Sequence, residues 1–389
     1  MSFLARCIVV ALSLLASFAA LPTAWSQKPG EEIDAFFKEQ PIVELNIEIG
    51  SKEMDALRRE PRKYVRAKLI ERVKGMDVVY DGVGVHCKGA AGSFRGIDDK
   101  AGLTLNMDKF DNVKLFHGMD KFHLANSLQD PSYISELVCG EMFRAAGVPA
   151  SRCAHAVVSI NGKRRGFYYL KEGYDSTFLR QNFKTRNGNF YDGGFLRDID
   201  QPLQLVSGKE NTKPHDDLKK LLAAARSDPK QRFAQLEKVL EMDKFISFLA
   251  LEVMCWDWDG YPINRNNYRM YHDPTTDKFT FIPSGMDQMF HDPNGPLFPG
   301  FNGEVARAVM ATTEGKQRYV KRVEELIPLT IRSEKTMKRL DELQAKVQPA
   351  LAAVDAGAGR DYPNQVNRLR SGMQQRAKRL EEELKKLKK

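Results

Sequence analysis

The sequence predicts an α+β protein, with a sheet-rich first half carrying one main helix and a mostly helical second half. Three observations support this. Between residues 43 and 170 apolar residues alternate in short runs broken by Gly, Asn and Pro, as in strands with one buried face. From residue 173 onward they recur at three- and four-residue spacing, the helical period. A single hairpin, Asn267–Ile282, interrupts the helices around the turn Asp273-Pro-Thr-Thr-Asp277.

The first residues read as an export signal. Arg6 precedes the apolar run Cys7 to Leu21, and Ala24-Trp25-Ser26 places small residues where a signal peptidase recognises them. Cleavage is expected near Gln27, because the run is short for a spanning helix. An uncleaved anchor is the alternative. No later segment is long and apolar enough to span a bilayer, so the mature protein is expected to be exported, to a periplasm or the cell surface.

The 389 residues are 42% hydrophobic and 29% charged, the balance of an ordinary globular protein. The net charge is +9, and loss of Arg6 with the signal leaves +8. This excess favours anionic ligands such as nucleotides or acidic proteins. No recognition helix, RNA-binding or zinc-finger pattern occurs, which excludes the common nucleic-acid modules. Cys87, Cys139, Cys153 and Cys255 remain after cleavage and fit no metal spacing. They read as buried, reduced thiols, with three disulfide pairings as the alternative.

Residues 27–40 read as a polar leader. Val43 to Ile49 is a strand, and Ser51 to Arg59 a helix that stops before Pro61. Tyr64 to Val73 and Val78 to Cys87 form a strand pair. A glycine-rich turn, Gly89 to Gly96, leads to strands at Leu103 to Met107 and Phe122 to Ala125. Asp130-Pro131 caps the main helix, which runs to about Ala146. Ala156 to Ile160 and Gly166 to Leu170 flank Asn161-Gly162, a strong hairpin dipeptide. Helices follow at Asp175 to Phe183, Asp216 to Ala225 and Gln231 to Cys255, with 184–214 as a long loop. The chain from Ser333 is helical again and ends in a Leu380, Leu384, Leu387 stripe.

The chemistry concentrates around the hairpin. Asp259 and Asn264 are five apart, the interval between the base and the metal-binding Asn of a kinase catalytic loop. Asp287 follows on the far side. Such a set can hold Mg²⁺ over ATP phosphates, with Asp259 orienting an acceptor hydroxyl and Asn264 and Asp287 offering hard oxygen ligands. The bland alternative is that all three cap turns. Backbone N–H groups of the glycine-rich turn can cradle phosphate, though no Gly-Lys-Ser/Thr follows to make a P-loop. Lys88 and Lys100 flank that turn, and Glu136 is the natural partner for one of them, with Glu141 the other choice; each is otherwise a surface charge. Trp256 and Trp258 bracket Asp257, as core residues or as cleft walls. No Gly-x-Ser-x-Gly or His-Glu-x-x-His motif is present, which argues against a hydrolase or zinc peptidase.

These residues fall into blocks that resemble the CotH kinase family, named for a spore-coat protein. The blocks are Lys88-Gly-Ala-Ala-Gly-Ser-Phe-Arg95, Phe116 to Asn126, Asp130-Pro-Ser-Tyr-Ile-Ser-Glu136, Phe143 to Ala150, Asn161-Gly to Gly166-Phe-Tyr, and Trp258-Asp-Gly-Tyr through Asn266 to Pro274. The resemblance covers roughly residues 40–290. It implies an atypical protein-kinase-like two-lobed fold, with an antiparallel-sheet N-lobe at 27–172, a C-lobe with the catalytic hairpin at 173–332, and a C-terminal helical segment at 333–389. It also implies ATP with Mg²⁺ (Mn²⁺ as a substitute) and γ-phosphoryl transfer to Ser or Thr of exported, Ser-rich proteins. Carried over by position, Asp259 is catalytic and Asn264 and Asp287 are metal ligands. Lys88, Gly89, Ser93, Arg95, Lys100 and Glu136 face the nucleotide. The chain departs from the family at Lys88-Gly-Ala-Ala, where many members have Arg-Gly-Asn-Ser, and at Ser284, where many have Trp. Asp257 leaves the register of the catalytic Asp open by two residues. An inactive scaffold and transfer of AMP are the competing functions.

Overall fold

A computed structural model describes residues 29–111, 114–208 and 215–389. The expected export signal, residues 1–26, lies outside the described residues. The fold is mixed α+β, β-rich in its N-terminal part and helical in its C-terminal part.

The chain opens with α1 (Pro29–Glu39), β1 (Ile42–Glu48), α2 (Ser51–Arg59), β2 (Val65–Val73) and β3 (Met76–Lys88). It continues through β4 (Gly102–Asn106), β5 (Lys121–Ala125), α3 (Ser135–Ala145), β6 (Cys153–Ile160) and β7 (Lys163–Glu172). These seven strands form a closed barrel in the order β1-β2-β3-β4-β5-β7-β6. The expected antiparallel sheet is present, but β6 pairs parallel with β1 and closes it. Closure leaves no exposed edge. Inward residues Leu45, Leu69, Val85, Leu103, Phe122, Ala156 and Leu170 fill the interior.

The stretch read as a polar leader is α1. Ile33, Phe36 and Phe37 fall at helical spacing and pack into the barrel core, while its charges face water. The β6–β7 turn places Asn161 at φ 50° and Gly162 at φ 74°, as a two-residue primed hairpin turn requires. The main helix α3 begins later than Asp130 suggests. Asp130 accepts from Ser132 N–H at 3.0 Å and Ser135 N–H at 3.1 Å, so it caps the helix from across a turn.

The second half comprises α4 (Ser176–Asn182), β8 (Asn189–Asp192), β9 (Gln204–Ser207), α5 (Asp216–Ala225), α6 (Arg232–Val239), α7 (Met242–Met254) and α8 (Tyr261–Asn264). Then come β10 (Tyr268–Asp273), β11 (Lys278–Pro283), α9 (Glu304–Met310), α10 (Thr313–Leu329), α11 (Glu334–Val354) and α12 (Ala356–Leu387). The stretch expected as a long loop contains β8 and β9, which extend the hairpin into a sheet of order β11-β10-β8-β9. Four-residue strands in a Gly- and Asn-rich stretch carry too little alternation to be read in advance. The single helix expected over 231–255 is two, α6 and α7, with Leu240 bridging to Phe279 between them.

The tail is packed, not appended. Leu340, Leu343 and Val347 of α11 and Val366, Met373, Leu380 and Leu384 of α12 join the same core as α3, α7 and the hairpin. All four described cysteines are free and buried. No helix among the described residues is long and apolar enough to cross a membrane.

Candidate active site

The barrel builds one wall of the site from its outer face. Residues alternate in and out along each strand, and Val85, Cys87, Leu103, Leu105, Phe122, Leu124 and Leu170 point inward. His86, Lys88, Thr104, His123 and Lys171 therefore point outward. Register pairs His86 with Thr104, Thr104 with His123, and His123 with Lys171, one row across four strands. Lys88 sits opposite Gly102, where an added Cβ would lie 3.3 Å from the lysine stem.

Against this row lies α3. Lys171 Nζ donates to Glu136 Oε1, and both side chains are about 5% exposed, so the pair is buried. Burial opposes the charge on Lys171, but the Glu136 carboxylate outweighs it and raises the ammonium pKa. Burial likewise opposes the charge on Glu136, and Lys171 outweighs it, holding the carboxylate below its usual range. Lys88 makes no ion pair among the described residues. Burial, then the neighbouring Lys171, lowers its ammonium to about 8. Burial and the same two lysines push His123 well down, so it is neutral near pH 7.

The opposite wall comes from the hairpin. After β11 the chain turns at Gly285 with φ 69°, a conformation that favours glycine. Met286 then docks on α3, where its carbonyl accepts from Ser135 Oγ at 3.2 Å. Asp287 follows, facing Glu136 and Lys171. Burial, then repulsion from Glu136 and Asp130, raises the Asp287 carboxyl to about 7. Arg269 of β10 pairs with Asp192 and lies 5.5 Å above the Tyr174 ring.

The segment between α7 and β10 is tightly held. Trp256, Arg265 and Asn267 all adopt left-handed backbone conformations, a strain that concentrates at functional segments. Asp259 accepts from Asn264 Nδ2 at 2.7 Å, Asn266 Nδ2 at 2.9 Å and Asn267 Nδ2 at 3.1 Å. Three amides thus fix its carboxylate, which remains part-exposed. Asp257 is different. It is 3% exposed and turned inward beside the fully buried Glu252. Burial, then the charges of Asp259 and Asp287, push the Asp257 carboxyl well up, and burial with Asp257 does the same to Glu252. Of the two aspartates in question, only Asp259 is part-exposed.

The residues singled out from sequence divide into two sets. Lys88, Glu136 and Asp287 lie close enough to act on one another's charge, while Asp259 and Asn264 are held together on the segment between α7 and β10. Gly89 sits at φ 105° in the turn after Lys88, which Arg62 holds by donating to the Gly89 carbonyl. Ser93 bonds back to Ala90, and Arg95 to the Gly92 and Phe94 carbonyls, so both serve the turn itself. Lys100 does not pair with Glu136. Its Nζ donates to Tyr133 Oη at 2.7 Å and lies over the Tyr133 and Tyr168 rings. Glu141, the other acidic choice, bonds Arg339 of α11.

The partner that sequence reasoning missed is Lys171. Its signal was a charged residue continuing the apolar strand Phe167-Tyr-Tyr-Leu170 on the face opposite Leu170. His123 and Arg269 were missed for the same reason: alternation shows that they leave the core, not that they meet.

The chain matches the model of the CotH kinase protein family over residues 85–380, and it belongs to that family. It is 25% identical over 189 residues to Invasin CotH3 of Rhizopus delemar, covering 43% of this chain and 31% of that one. It is 24% identical over 188 residues to Invasin CotH2 of the same organism, covering 43% and 32%. The chain thus spans about a third of the curated relatives it matches. Among solved structures it is similar to the Helicobacter pylori proinflammatory kinase CtkA, at 9% identity and TM-score 0.31, over 71% of this chain and 94% of that one.

Proposed function

We propose that this protein is an exported atypical kinase that transfers the γ-phosphoryl group of ATP to Ser or Thr of exported polypeptides. Family membership supports the kinase class. The observation that carries the reading is the buried Lys171–Glu136 pair set beside Lys88 and across from Asp287. A buried lysine without a carboxylate of its own is costly, and polyphosphate oxygens supply the missing charge.

In this reading the barrel is an N-lobe and the four-stranded sheet with its helices a C-lobe, and the nucleotide lies between them. Lys171, oriented by Glu136, and Lys88 hold the phosphates. The residues fit a divalent metal through its donor chemistry: the Asp287 carboxylate and the Asn264 carbonyl oxygen are hard ligands. Among the described residues no three acidic, His or Cys groups form a cage. Mg²⁺ suits such a site, because it binds through one or two carboxylates plus substrate phosphates. When bound it would neutralise negative charge on the phosphates. Asp259 accepts the proton of the acceptor hydroxyl. The hydroxyl oxygen bonds to the γ-phosphorus as the bond to the β–γ bridging oxygen breaks, leaving ADP. The three amides on Asp259 keep its carboxylate aimed during this step.

A second reading, a binding scaffold, is favoured by Ser284. Its N–H bonds the Asn267 carbonyl at 2.9 Å, and it offers no ring to a purine. The test uses residues 27–389 with Mg²⁺, γ-labelled ATP and a Ser-rich acceptor, beside the Asp287→Ala protein. Label on the wild type alone supports the kinase. No label on either folded protein, across several metals and acceptors, leaves the scaffold. Mass spectrometry of the same samples separates phosphate from AMP.

A further inference from the structure

The segment that follows Asp287 does not return to the barrel. It runs along the C-terminal helix and leaves a groove of about 550 Å³ between Phe290–Pro293 and α12. Phe290 is three residues from Asp287, so the groove begins within about 11 Å of it. The Phe290 N–H bonds the Cys255 carbonyl at 2.8 Å, two residues before Asp257, which ties the groove floor to both catalytic segments.

The far wall is one face of α12. Asn367, Ser371 and Gln375 recur every fourth residue along it, and none has a partner among the described residues. Arg368 adds positive charge at the rim, while Asp292 bonds its own turn through Asn294 N–H. The helix reaches this close because position 372 is glycine; a Cβ there would lie 2.7 Å from the Phe290 carbonyl. Buried Arg376, one turn on, donates to the Pro293, Gly295 and Val253 carbonyls and stacks on Trp256. The groove is therefore polar and continuous with the segment that carries Asp287.

From Asn367 to Gln375 the helix rises about 12 Å, the span of about four residues of extended chain. A row of amides and a hydroxyl suits the alternating donors and acceptors of such a chain. We propose that this groove receives the acceptor as an extended, acidic polypeptide segment, delivering its Ser or Thr to Asp259. The proposal rests on the phosphoryl-transfer reading, and it gives the C-terminal helix a part in acceptor choice.

The test compares wild type with the surface variant Asn367→Ala/Ser371→Ala/Gln375→Ala and with Arg368→Glu. Dephosphorylated casein serves as the acidic polypeptide probe. Its binding is read by fluorescence anisotropy, and its phosphorylation by label transfer. Expected is a loss of casein affinity of at least tenfold in the triple variant, with a matching rise in KM and unchanged Mg-ATP affinity and melting temperature. Arg368→Glu should weaken casein binding and spare a neutral Ser peptide. Transfer by wild type with the same KM in all variants overturns the groove and leaves the kinase standing. Casein binding lost in the variants, with no transfer by wild type, keeps the groove and removes the kinase. Wild type that binds no polypeptide, or a variant that loses nucleotide instead, overturns the proposal.

Discussion

Lys88 should make the protein less stable than a variant without it. Its ammonium is buried beside Lys171, and its pKa falls from 10.5 to about 8. Each tenfold is worth about 1.36 kcal/mol, so the drop of about 2.5 corresponds to about 3.4 kcal/mol at most, and about 2 kcal/mol once it is allowed that the Lys88 side chain as a whole is only half-buried. The folded pKa lies below the unfolded one, so the penalty is whole below about pH 8. It shrinks from there to pH 10.5 and vanishes above. Lys88→Met keeps the stem and removes the charge. The variant should melt about 4 °C higher at pH 6.5, with its advantage fading toward pH 10.5. The same change should abolish Mg-ATP binding and transfer. Differential scanning fluorimetry across pH, with calorimetric titration of nucleotide, reads both effects. A variant that melts lower than wild type at pH 6.5, or keeps full nucleotide affinity, would refute the assignment of Lys88 as a phosphate-binding charge.

Asp287→Asn should behave in the mirror sense: its carboxyl rises from 3.8 to about 7, so the stabilising effect of the substitution should be absent at pH 3.8, grow to pH 7 and then level off in paired melts. In wild type the same pKa makes metal-dependent nucleotide binding weaken as pH falls below about 7, measurable by titration at pH 6 and 8. Glu136→Gln leaves the Lys171 ammonium buried without its partner and should cost about 3–5 kcal/mol, seen as a lower denaturant midpoint. Gly285→Ala forces a side chain into a left-handed position, with its Cβ 2.8 Å from Asn267 Oδ1. It should destabilise by about 1–2 kcal/mol and lower kcat more than it raises KM for ATP, because Asn267 holds Asp259.

The segment proposed to be catalytic was legible in the sequence because its parts are local. Asp259, Asn264, Asn266 and Asn267 lie within nine consecutive residues, and their hydrogen bonds close inside that span. The barrel strands were legible too, since alternation at period two records which face is buried. Closure of the barrel was not, because the parallel pairing of β1 with β6 joins residues more than a hundred apart. Strands β8 and β9 were hidden by their shortness, and α1 by the charges on its outer face.

The sequence by itself determined the family, the α+β order of elements and the segment in which Asp259 and Asn264, proposed as base and metal ligand, sit side by side. Tertiary structure decided which lysine meets Glu136. The sequence left Lys88 and Lys100, on either side of the glycine-rich turn, as the candidates; in the fold Lys100 meets Tyr133, and Lys171 takes the place. Tertiary structure also turned Asp257 inward and Asp259 outward, and brought α12 against the segment after Asp287. The physical reason is the range of the interactions. Periodicity and short motifs record contacts within a helix turn or a hairpin, whereas a buried ion pair depends on which faces of distant elements close on one another to exclude water.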